Sequence, residues 1–238
     1  MFAKSAEFYD ALYANSGKDY DTEAEQLREL IRRYRWSGGA DWLDVGCGTG
    51  MHIARLQRDF GAVGLDIDEG MLAVARERCP DVPFHRGDMV DFALDQRFDV
   101  VTCLFSSIGY ARTSERLHGA VANMTHHLKP GGVLIVEPWI RPEDWEDRHV
   151  GAIFVDEPDL KIARINRSRR DERISILDFQ YLVGTPDGVE HFTERHELGL
   201  FAHEDYVDAL QCAGLHVEHH PQGLTDRGLY VGVAPLGR

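Results

Sequence analysis

The sequence has few cysteines and no long apolar run. Its 238 residues include four cysteines, with no C-x-x-C pair and no cysteine–histidine cluster at zinc spacing. We therefore expect no disulfide framework, no structural zinc and no other metal site. The chain has no stretch of about 18 apolar residues, so no membrane span is expected, and its first residues lack the apolar core of a signal peptide. This pattern predicts a cytoplasmic protein.

Positive charge is also scarce. The chain carries 26 lysines and arginines against 40 aspartates and glutamates, a formal net charge of −14. Nucleic acids and anionic membranes are bound by basic surfaces, so neither is expected as a partner. An anionic substrate would have to meet cations that are concentrated locally.

Helix-like and strand-like segments alternate as far as residue 137. The predicted helices cover residues 21–35, 51–59, 68–78 and 114–128, and the predicted strands cover residues 41–45, 61–66, 82–86, 98–104 and 133–137. A turn is predicted at residues 129–132, where the sequence reads Lys-Pro-Gly-Gly. This alternation predicts an α/β fold with a doubly wound, Rossmann-like sheet.

After Pro138 the pattern changes to consecutive strands. These cover residues 151–156, 160–168, 173–183 and 189–201, followed by a helix at about 203–213 and strands near 215–219 and 228–234. We predict an antiparallel β meander inserted before the main sheet is completed. The predicted division is a catalytic domain of residues 1–140 and 202–238 and an inserted subdomain of residues 141–201.

A glycine-rich turn follows the first predicted strand. Residues 44–50 read Asp-Val-Gly-Cys-Gly-Thr-Gly, and Asp66 ends the next predicted strand. Glycines permit a close backbone approach to a ligand, and an acid at that place can accept hydrogen bonds from two ribose hydroxyls. The ligand could be a dinucleotide or S-adenosylmethionine. The dinucleotide fingerprint requires glycine at position 51, where this chain has Met51.

The spacing Asp-x-Gly-x-Gly-x-Gly resembles motif I of the class I S-adenosylmethionine-dependent methyltransferases. The resemblance implies S-adenosylmethionine as cofactor, with Asp88 accepting from the adenine amino group and Met89 against the ring. It implies nine cofactor-binding residues: Tyr20, Asp44, Gly46, Gly48, Gly50, Asp66, Asp88, Met89 and Leu104.

Further segments resemble a narrower family. Residues 17–20, 105–110, 136–139 and 226–232 are similar to those of the N,N-dimethyltransferases that act on nucleotide-linked (dTDP) amino-deoxysugars in antibiotic biosynthesis. The resemblance covers nearly the whole chain. It implies transfer of one or two methyl groups to the amine of such a sugar, and a homodimer formed through the meander. The chain departs from the family at Ile140 and Arg141, where members usually have aromatic residues.

The same resemblance places four residues near the methyl-transfer position. Tyr110, Ser106 and Ser107 are expected to orient the amine, and Tyr9 to line the methyl path. An amine needs less activation than an alcohol, so the sequence leaves open whether a dedicated general base is used. Packing of the tyrosines and turn capping by the serines are the alternative interpretations.

A nucleotide diphosphate would need cationic partners. Arg227 is expected to bridge the diphosphate, with Arg164 and Arg170 as further contacts and Trp139 stacking on the base or sugar. A solvated hairpin is the alternative for the arginine run. His191 and His196 are interpreted as surface residues of the meander.

Two other functions stay open at this stage. One is O-methylation of a small metabolite, which would require a histidine or lysine base or a metal beside the methyl group. No histidine occurs in residues 105–110, which disfavours it. The other is a non-catalytic protein that binds S-adenosylmethionine, although the intact motifs at Asp66 and Asp88 disfavour it.

Overall fold

A computed structural model describes residues 4–237. Its α-helices are α1 (Tyr9–Ala14), α2 (Tyr20–Tyr34), α3 (Met51–Leu56), α4 (Glu69–Arg78), α5 (Ser114–His126) and α6 (His203–Cys212). Two short 3₁₀ helices cover Ala6–Phe8 and Ser107–Ala111. The strands are β1 (Asp41–Val45), β2 (Gly61–Asp66), β3 (Phe84–Arg86), β4 (Phe98–Cys103), β5 (Leu128–Val136), β6 (Val150–Glu157), β7 (Leu160–Asp171), β8 (Ile174–Thr185), β9 (Gly188–Gly199), β10 (His216–His220) and β11 (Leu229–Val233).

Seven strands form the central sheet, in the order β10-β11-β5-β4-β1-β2-β3. Strands β1 to β5 pair in parallel, and β11 runs antiparallel to both of its neighbours. Every residue of β4 is buried, as a parallel strand covered by helices on both faces requires. The predicted doubly wound, Rossmann-like sheet is confirmed.

Helix α2 lies on one face of this sheet, and its sequence determines both its start and its packing. Asp19 caps its first turn by accepting hydrogen bonds from the amides of Asp21 and Thr22. Buried Leu27 and Ile31 lie on its inner side and pack with residues of β1 and β4. The segment that leads into α2 therefore lies near the ends of the parallel strands.

The inserted strands form a second sheet, in the antiparallel order β6-β7-β8-β9. The predicted meander is confirmed, and it lies within the predicted insertion of residues 141–201. Its inner face packs around Leu12 of α1, together with Phe179, Tyr181 and Phe192. This contact brings the N-terminal helix and the second sheet together.

The predicted turn at residues 129–132 is wrong. Strand β5 already begins at Leu128, which pairs with Phe98, and the register with β4 shifts between Phe98 and Val100. The Pro-Gly-Gly sequence is therefore accommodated by an irregularity within extended chain, with Gly131 at φ +73°.

Among residues 4–237, no helix is both long enough and apolar enough to cross a membrane.

Candidate active site

A cavity of about 970 Å³ lies between the two sheets. Its walls come from the carboxyl ends of β1, β2 and β4, from α1, and from the inner face of the second sheet. A small cavity of about 40 Å³ adjoins it and shares Tyr9, Gly46 and Gly48. Ligands of open α/β sheets bind outside the carboxyl ends of the strands, so this is the expected place for a site.

The glycine turn forms one wall of the cavity. Gly46 and Gly48 have φ values of +72° and +54°, and both line the cavity. A Cβ atom on Gly46 would come within 2.6 Å of the Cβ of Ser107, whereas one on Gly48 would point into open space. Gly50 is placed differently, since it precedes α3 and a Cβ there would meet Ala75 at 3.3 Å. The turn therefore leaves open backbone beside the cavity at Gly48.

Asp66 presents its carboxylate to the cavity at the end of β2. One oxygen accepts from the Gly48 amide at 2.8 Å and the other from the Asp68 amide at 2.9 Å. Burial raises the pKa of this carboxyl, although the backbone hydrogen bonds oppose that rise. Each carboxylate oxygen of Asp66 keeps a further lone pair, so the two oxygens can accept hydrogen bonds from a diol.

Asp88 and Met89 line the same end of the cavity. Asp88 accepts from the Val90 amide at 3.0 Å and pairs with Arg116 at 2.6 Å. Burial favours the neutral acid, but these hydrogen bonds outweigh it and lower the pKa of Asp88. Asp88 is therefore an ionised acceptor that Arg116 holds in place.

Tyr20, Asp44 and Leu104 lie together around the small cavity. Asp44 is 2% exposed and accepts from the hydroxyl of Thr102 at 2.7 Å, and Thr102 in turn accepts from the indole of Trp42 at 2.8 Å. Burial raises the pKa of Asp44 to about 6. The predicted cofactor residues, apart from Gly50, thus line two adjoining cavities.

The turn after β4 is strained and carries Ser106. Phe105 and Ser106 have φ values of +48° and +64°, a conformation that non-glycine residues adopt only where surrounding contacts enforce it. Ser106 is buried, donates its hydrogen to the Pro138 carbonyl at 2.7 Å and accepts from Arg227 at 2.9 Å. The hydroxyl hydrogen of Ser106 is therefore already used, and its oxygen contacts Arg227.

Glu137 fixes this turn from behind. Its carboxylate accepts from the Phe105 amide at 2.6 Å and from the hydroxyl of Thr225. Glu137 thereby ties the end of β5 both to the strained turn and to the loop that carries Arg227. No role was predicted for the Glu137 side chain from the sequence.

Two arginines of the cavity have no carboxylate partner among the described residues. Arg164 is 8% exposed, and its guanidinium lies 4.7 Å from the ring centroid of Phe179 and 5.5 Å from that of Tyr13. Arg227 lies 5.7 Å from the ring centroid of Phe105 and 5.2 Å from that of Trp139. Both side chains line the cavity, and stacking on aromatic rings holds each of them in place.

Arg170 lies elsewhere, although it shares strand β7 with Arg164. Six residues of extended chain separate them by about 20 Å. The Arg170 guanidinium is exposed and donates to the carbonyls of Glu172 and Pro142. The structure does not bring Arg170 to the cavity.

Lys18 also lines the cavity and was given no role from the sequence. Its ammonium contacts both oxygens of Glu23, at 2.7 and 2.8 Å, and lies 3.7 Å from the ring centroid of Phe105. His52 contacts the same Glu23 at 2.8 Å. The Lys18 charge is therefore compensated, unlike the charges of Arg164 and Arg227.

Tyr9, Ser107 and Trp139 also line the cavity. The Tyr9 ring packs against Tyr13 with a centroid separation of 4.5 Å. Ser107 donates to the Gly46 carbonyl at 3.2 Å, and the Trp139 indole donates to Ser175 at 2.8 Å. Each of these side chains thus reaches the cavity from an anchored position.

Tyr110 contacts His196, a histidine that was predicted to lie at the surface of the meander. Its hydroxyl lies 2.7 Å from Nδ1 of His196, which is 2% exposed and lines the cavity. The surface interpretation of His196 is therefore wrong. Phe192 and Leu198 lie on the same face of β9, and this period-two pattern was the signal for burial. His191 is exposed, as expected.

Among the described residues, the one trio of possible metal ligands lies away from the cavity. His118 of α5 faces Asp208 and Cys212 of α6, with their ligand atoms within 4.8 Å of one another. Asp208 raises the pKa of the Cys212 thiol, which disfavours the thiolate that a metal would bind. All four cysteines are free thiols.

The chain is similar to known methyltransferases over nearly its full length. Residues 43–132 match the methyltransferase domain family. The dTDP-3-amino-3,6-dideoxy-alpha-D-glucopyranose N,N-dimethyltransferase of Streptomyces fradiae is 43% identical over 230 residues, which cover 96% of this chain and 90% of that protein. The dTDP-3-amino-3,4,6-trideoxy-alpha-D-glucopyranose N,N-dimethyltransferase of Streptomyces venezuelae is 42% identical and covers 96% and 97%, respectively.

Solved structures match over nearly the full length as well. The crystal structure of Streptomyces venezuelae DesVI superposes with a TM-score of 0.91 at 41% identity, covering 97% of this chain and 98% of that one. CalS10, an amino pentose methyltransferase of Micromonospora echinaspora whose structure has S-adenosylmethionine bound, superposes with a TM-score of 0.85 at 40% identity, covering 95% and 96%.

Proposed function

The chain belongs to the family of S-adenosylmethionine-dependent amino-deoxysugar N,N-dimethyltransferases, and from that premise we propose that it methylates the amine of a nucleotide-diphosphate-linked amino-deoxysugar. It transfers one or two methyl groups, in the biosynthesis of a natural product. Neither O-methylation nor a non-catalytic role is supported, because relatives over nearly the full length are N,N-dimethyltransferases.

The residues at the ends of β1 and β2 fit the cofactor. The open backbone at Gly48 and the held carboxylate of Asp66 suit a ligand with a ribose diol, and Asp88 and Met89 suit its adenine. Tyr20, Asp44 and Leu104 complete the predicted set at the adjoining cavity. When bound, S-adenosylmethionine supplies an activated methyl carbon.

The observation that carries the substrate proposal is the pair of uncompensated guanidiniums, Arg164 and Arg227. Arg164 is buried, and a buried cation without a counter-ion is costly unless a ligand supplies one. A diphosphate brings about two negative charges, and guanidinium groups bind phosphate oxygens through paired hydrogen bonds. The same cavity is thus lined by Asp66 and Asp88, which suit the cofactor, and by the guanidiniums of Arg164 and Arg227, which suit a diphosphate.

Positioning is the main contribution of the remaining residues. Holding two reactants in line can lower a barrier by roughly 7–11 kcal/mol. Tyr110 and Tyr9 present hydroxyls at the cavity, and Trp139 offers a ring face next to Arg227 for the sugar or base. Ser106 and Ser107 act through the turn they stabilise. These assignments are proposals that mutagenesis can separate.

We also propose that the chain forms a homodimer and is located in the cytoplasm. The outer face of the second sheet exposes Phe154, Ile165 and Leu182, and we assign it to a homodimer interface. The four free thiols support a reducing, cytoplasmic location. The proposed division into residues 1–140 with 202–238, and 141–201, follows the two sheets.

Incubation with S-adenosylmethionine and a panel of nucleotide-linked 3-amino and 4-amino sugars tests the reaction. Mass spectrometry should show the gain of one or two methyl groups on the amine of at least one sugar. Methylation of a phenol or carboxylate, with no amine methylated, would contradict the proposal.

Arg227→Ala tests the diphosphate contact. Loss of a charged hydrogen bond of about 1.5–3 kcal/mol should raise KM for the sugar nucleotide roughly ten- to a hundredfold. The dissociation constant of S-adenosylmethionine, measured by calorimetry, should stay unchanged. Arg76→Ala, which removes an exposed arginine paired with Glu69, is the matched control. Equal KM values for wild type and Arg227→Ala would refute the assignment.

A further inference from the structure

Three side chains form a path from the cavity towards the protein surface. The Tyr110 hydroxyl lies 2.7 Å from Nδ1 of His196, and Nε2 of His196 lies 3.6 Å from Oε2 of Glu194. Glu194 also accepts from the hydroxyl of Ser5 at 2.7 Å and from the exposed amide of Lys4 at 3.3 Å. The path therefore begins at the substrate cavity and ends where the N-terminal segment meets solvent.

The imidazole in the middle of this path is held tightly. His196 is 2% exposed, and the Phe179 ring packs edge-on against it with a centroid separation of 5.2 Å. The other titratable groups that face the Tyr110–His196 pair come from α1, β2 and β8: Tyr9, Tyr13, Asp66 and Tyr181. The charged Arg164 of β7 lies against Phe179, which in turn packs on His196. Glu194 supplies the nearest carboxylate on the His196 side.

The proposed reaction needs a proton acceptor at this place. A sugar amine enters largely as an ammonium ion near neutral pH, and its lone pair is available only after one proton leaves. A first methylation produces a secondary ammonium, which must lose a proton again before a second methyl can be added. Proton transfer by a positioned side chain typically contributes about 10²- to 10⁴-fold to a rate.

We propose that Tyr110 and His196 deprotonate the substrate ammonium, with His196 as the proton acceptor that acts through Tyr110. The substrate N–H bond breaks as an O–H bond forms at Tyr110, and the original O–H bond of Tyr110 breaks as an N–H bond forms at Nδ1. The products are a neutral amine and an imidazolium beside the Glu194 carboxylate. This inference rests on the proposed function, because it needs an amine as the nucleophile.

The environments of the three groups suit these roles. Burial raises the pKa of the Tyr110 phenol well above its usual value, so the phenol passes a proton on rather than remaining a phenolate. Burial also opposes ionisation of Glu194, but the neighbouring His196 and the hydrogen bond from Ser5 outweigh it and lower the pKa of this carboxyl. An ionised Glu194 stabilises the imidazolium and offers the proton a way out.

His196→Gln tests the proposal, because glutamine keeps a hydrogen-bonding group of similar size but is not basic. The rate constant kcat at pH 7 should fall about a hundredfold. The defect should shrink by about tenfold per pH unit as pH rises towards the pKa of the amine, because bulk water then supplies the neutral form. Tyr110→Phe should show the same pH dependence, and the double variant should be no slower than either single variant.

His191→Gln, which changes an exposed histidine of the same strand, is the matched control and should keep the wild-type profile. Circular dichroism and calorimetric binding of S-adenosylmethionine check that each variant is folded. A His196→Gln enzyme that equals wild type, or that is slower by one constant factor at every pH, overturns the proton-acceptor role while the methyl-transfer function stands. Failure of the wild type to methylate any amino sugar overturns both.

Discussion

Arg164 and Arg170 occupy the same face of one strand, yet only Arg164 lines the cavity. Arg164→Ala should therefore raise KM for the sugar nucleotide roughly tenfold or more, through the lost cation. Arg170→Ala should leave KM unchanged, because its guanidinium bonds to backbone carbonyls of Glu172 and Pro142. Steady-state kinetics of the two purified variants makes the comparison. An equal rise of KM in both would show that the anion reaches further along β7.

Asp44 is a predicted cofactor-binding residue whose burial also affects the free energy of unfolding. Its pKa is raised from 3.8 to about 6, chiefly by burial, so the folded state binds the proton more tightly than the unfolded state does. The free energy of unfolding therefore falls as pH rises from 3.8 to about 6, and the full penalty remains at higher pH. Asp44→Asn keeps an oxygen for the Thr102 hydroxyl and removes the charge.

We expect Asp44→Asn to raise the free energy of unfolding at pH 8 by about 1–2 kcal/mol and to weaken cofactor binding. The gain should diminish as pH falls below about 6. Urea titrations at pH 5 and pH 8 measure both values, with Asn substituted for the exposed Asp95 as the control. A gain of equal size at both pH values would assign the effect to packing instead.

At the scale of elements, local signals predicted the parallel half of the fold. Strands β1 and β2 have the predicted bounds of residues 41–45 and 61–66, because short apolar runs ended by glycine or aspartate are local features. The Pro-Gly-Gly sequence in β5 led to a wrong prediction of a turn, because pairing with β4 keeps that segment extended. Tertiary pairing there overrides the turn propensity.

The candidate site likewise has parts that local sequence predicts and parts that depend on the tertiary structure. The glycine turn and Asp66 could be predicted, because a strand, a turn and a helix that follow one another define them. The contact between Tyr110 and His196 could not, since 86 residues separate the two and only the register of β9 brings them together. The difference between Arg164 and Arg170 likewise depends on how far along β7 the cavity reaches.

At the scale of the whole molecule, the scarcity of positive charge makes the arrangement of the arginines informative. Among residues 4–237, most cations outside the cavity are paired at the surface, as Arg76 is with Glu69 and Arg141 with Asp144. A chain with a net charge of −14 repels anions at long range. The unpaired guanidiniums of Arg164 and Arg227 therefore mark where an anionic substrate can be bound.

The outer face of the second sheet carries the last prediction. Phe154, Ala163 and Leu182 are neighbours across β6, β7 and β8, and Ile165 lies in the next row. Phe154 is 63% exposed and Leu182 is 50% exposed, so a continuous apolar patch is exposed to solvent. Such a face on an antiparallel sheet is stabilised by burial against a partner, and a second copy of this chain is the proposed one.

Leu182→Lys should convert the proposed dimer to a monomer, because each two-fold interface would then bury two lysines at the centre of the apolar patch. Light scattering coupled to size-exclusion chromatography measures the mass. Trp36→Lys, at an exposed apolar residue outside the second sheet, should leave the mass unchanged. A wild-type chain that elutes as a monomer at micromolar concentration would refute the interface. A Leu182→Lys protein that remains dimeric would place the interface on another face.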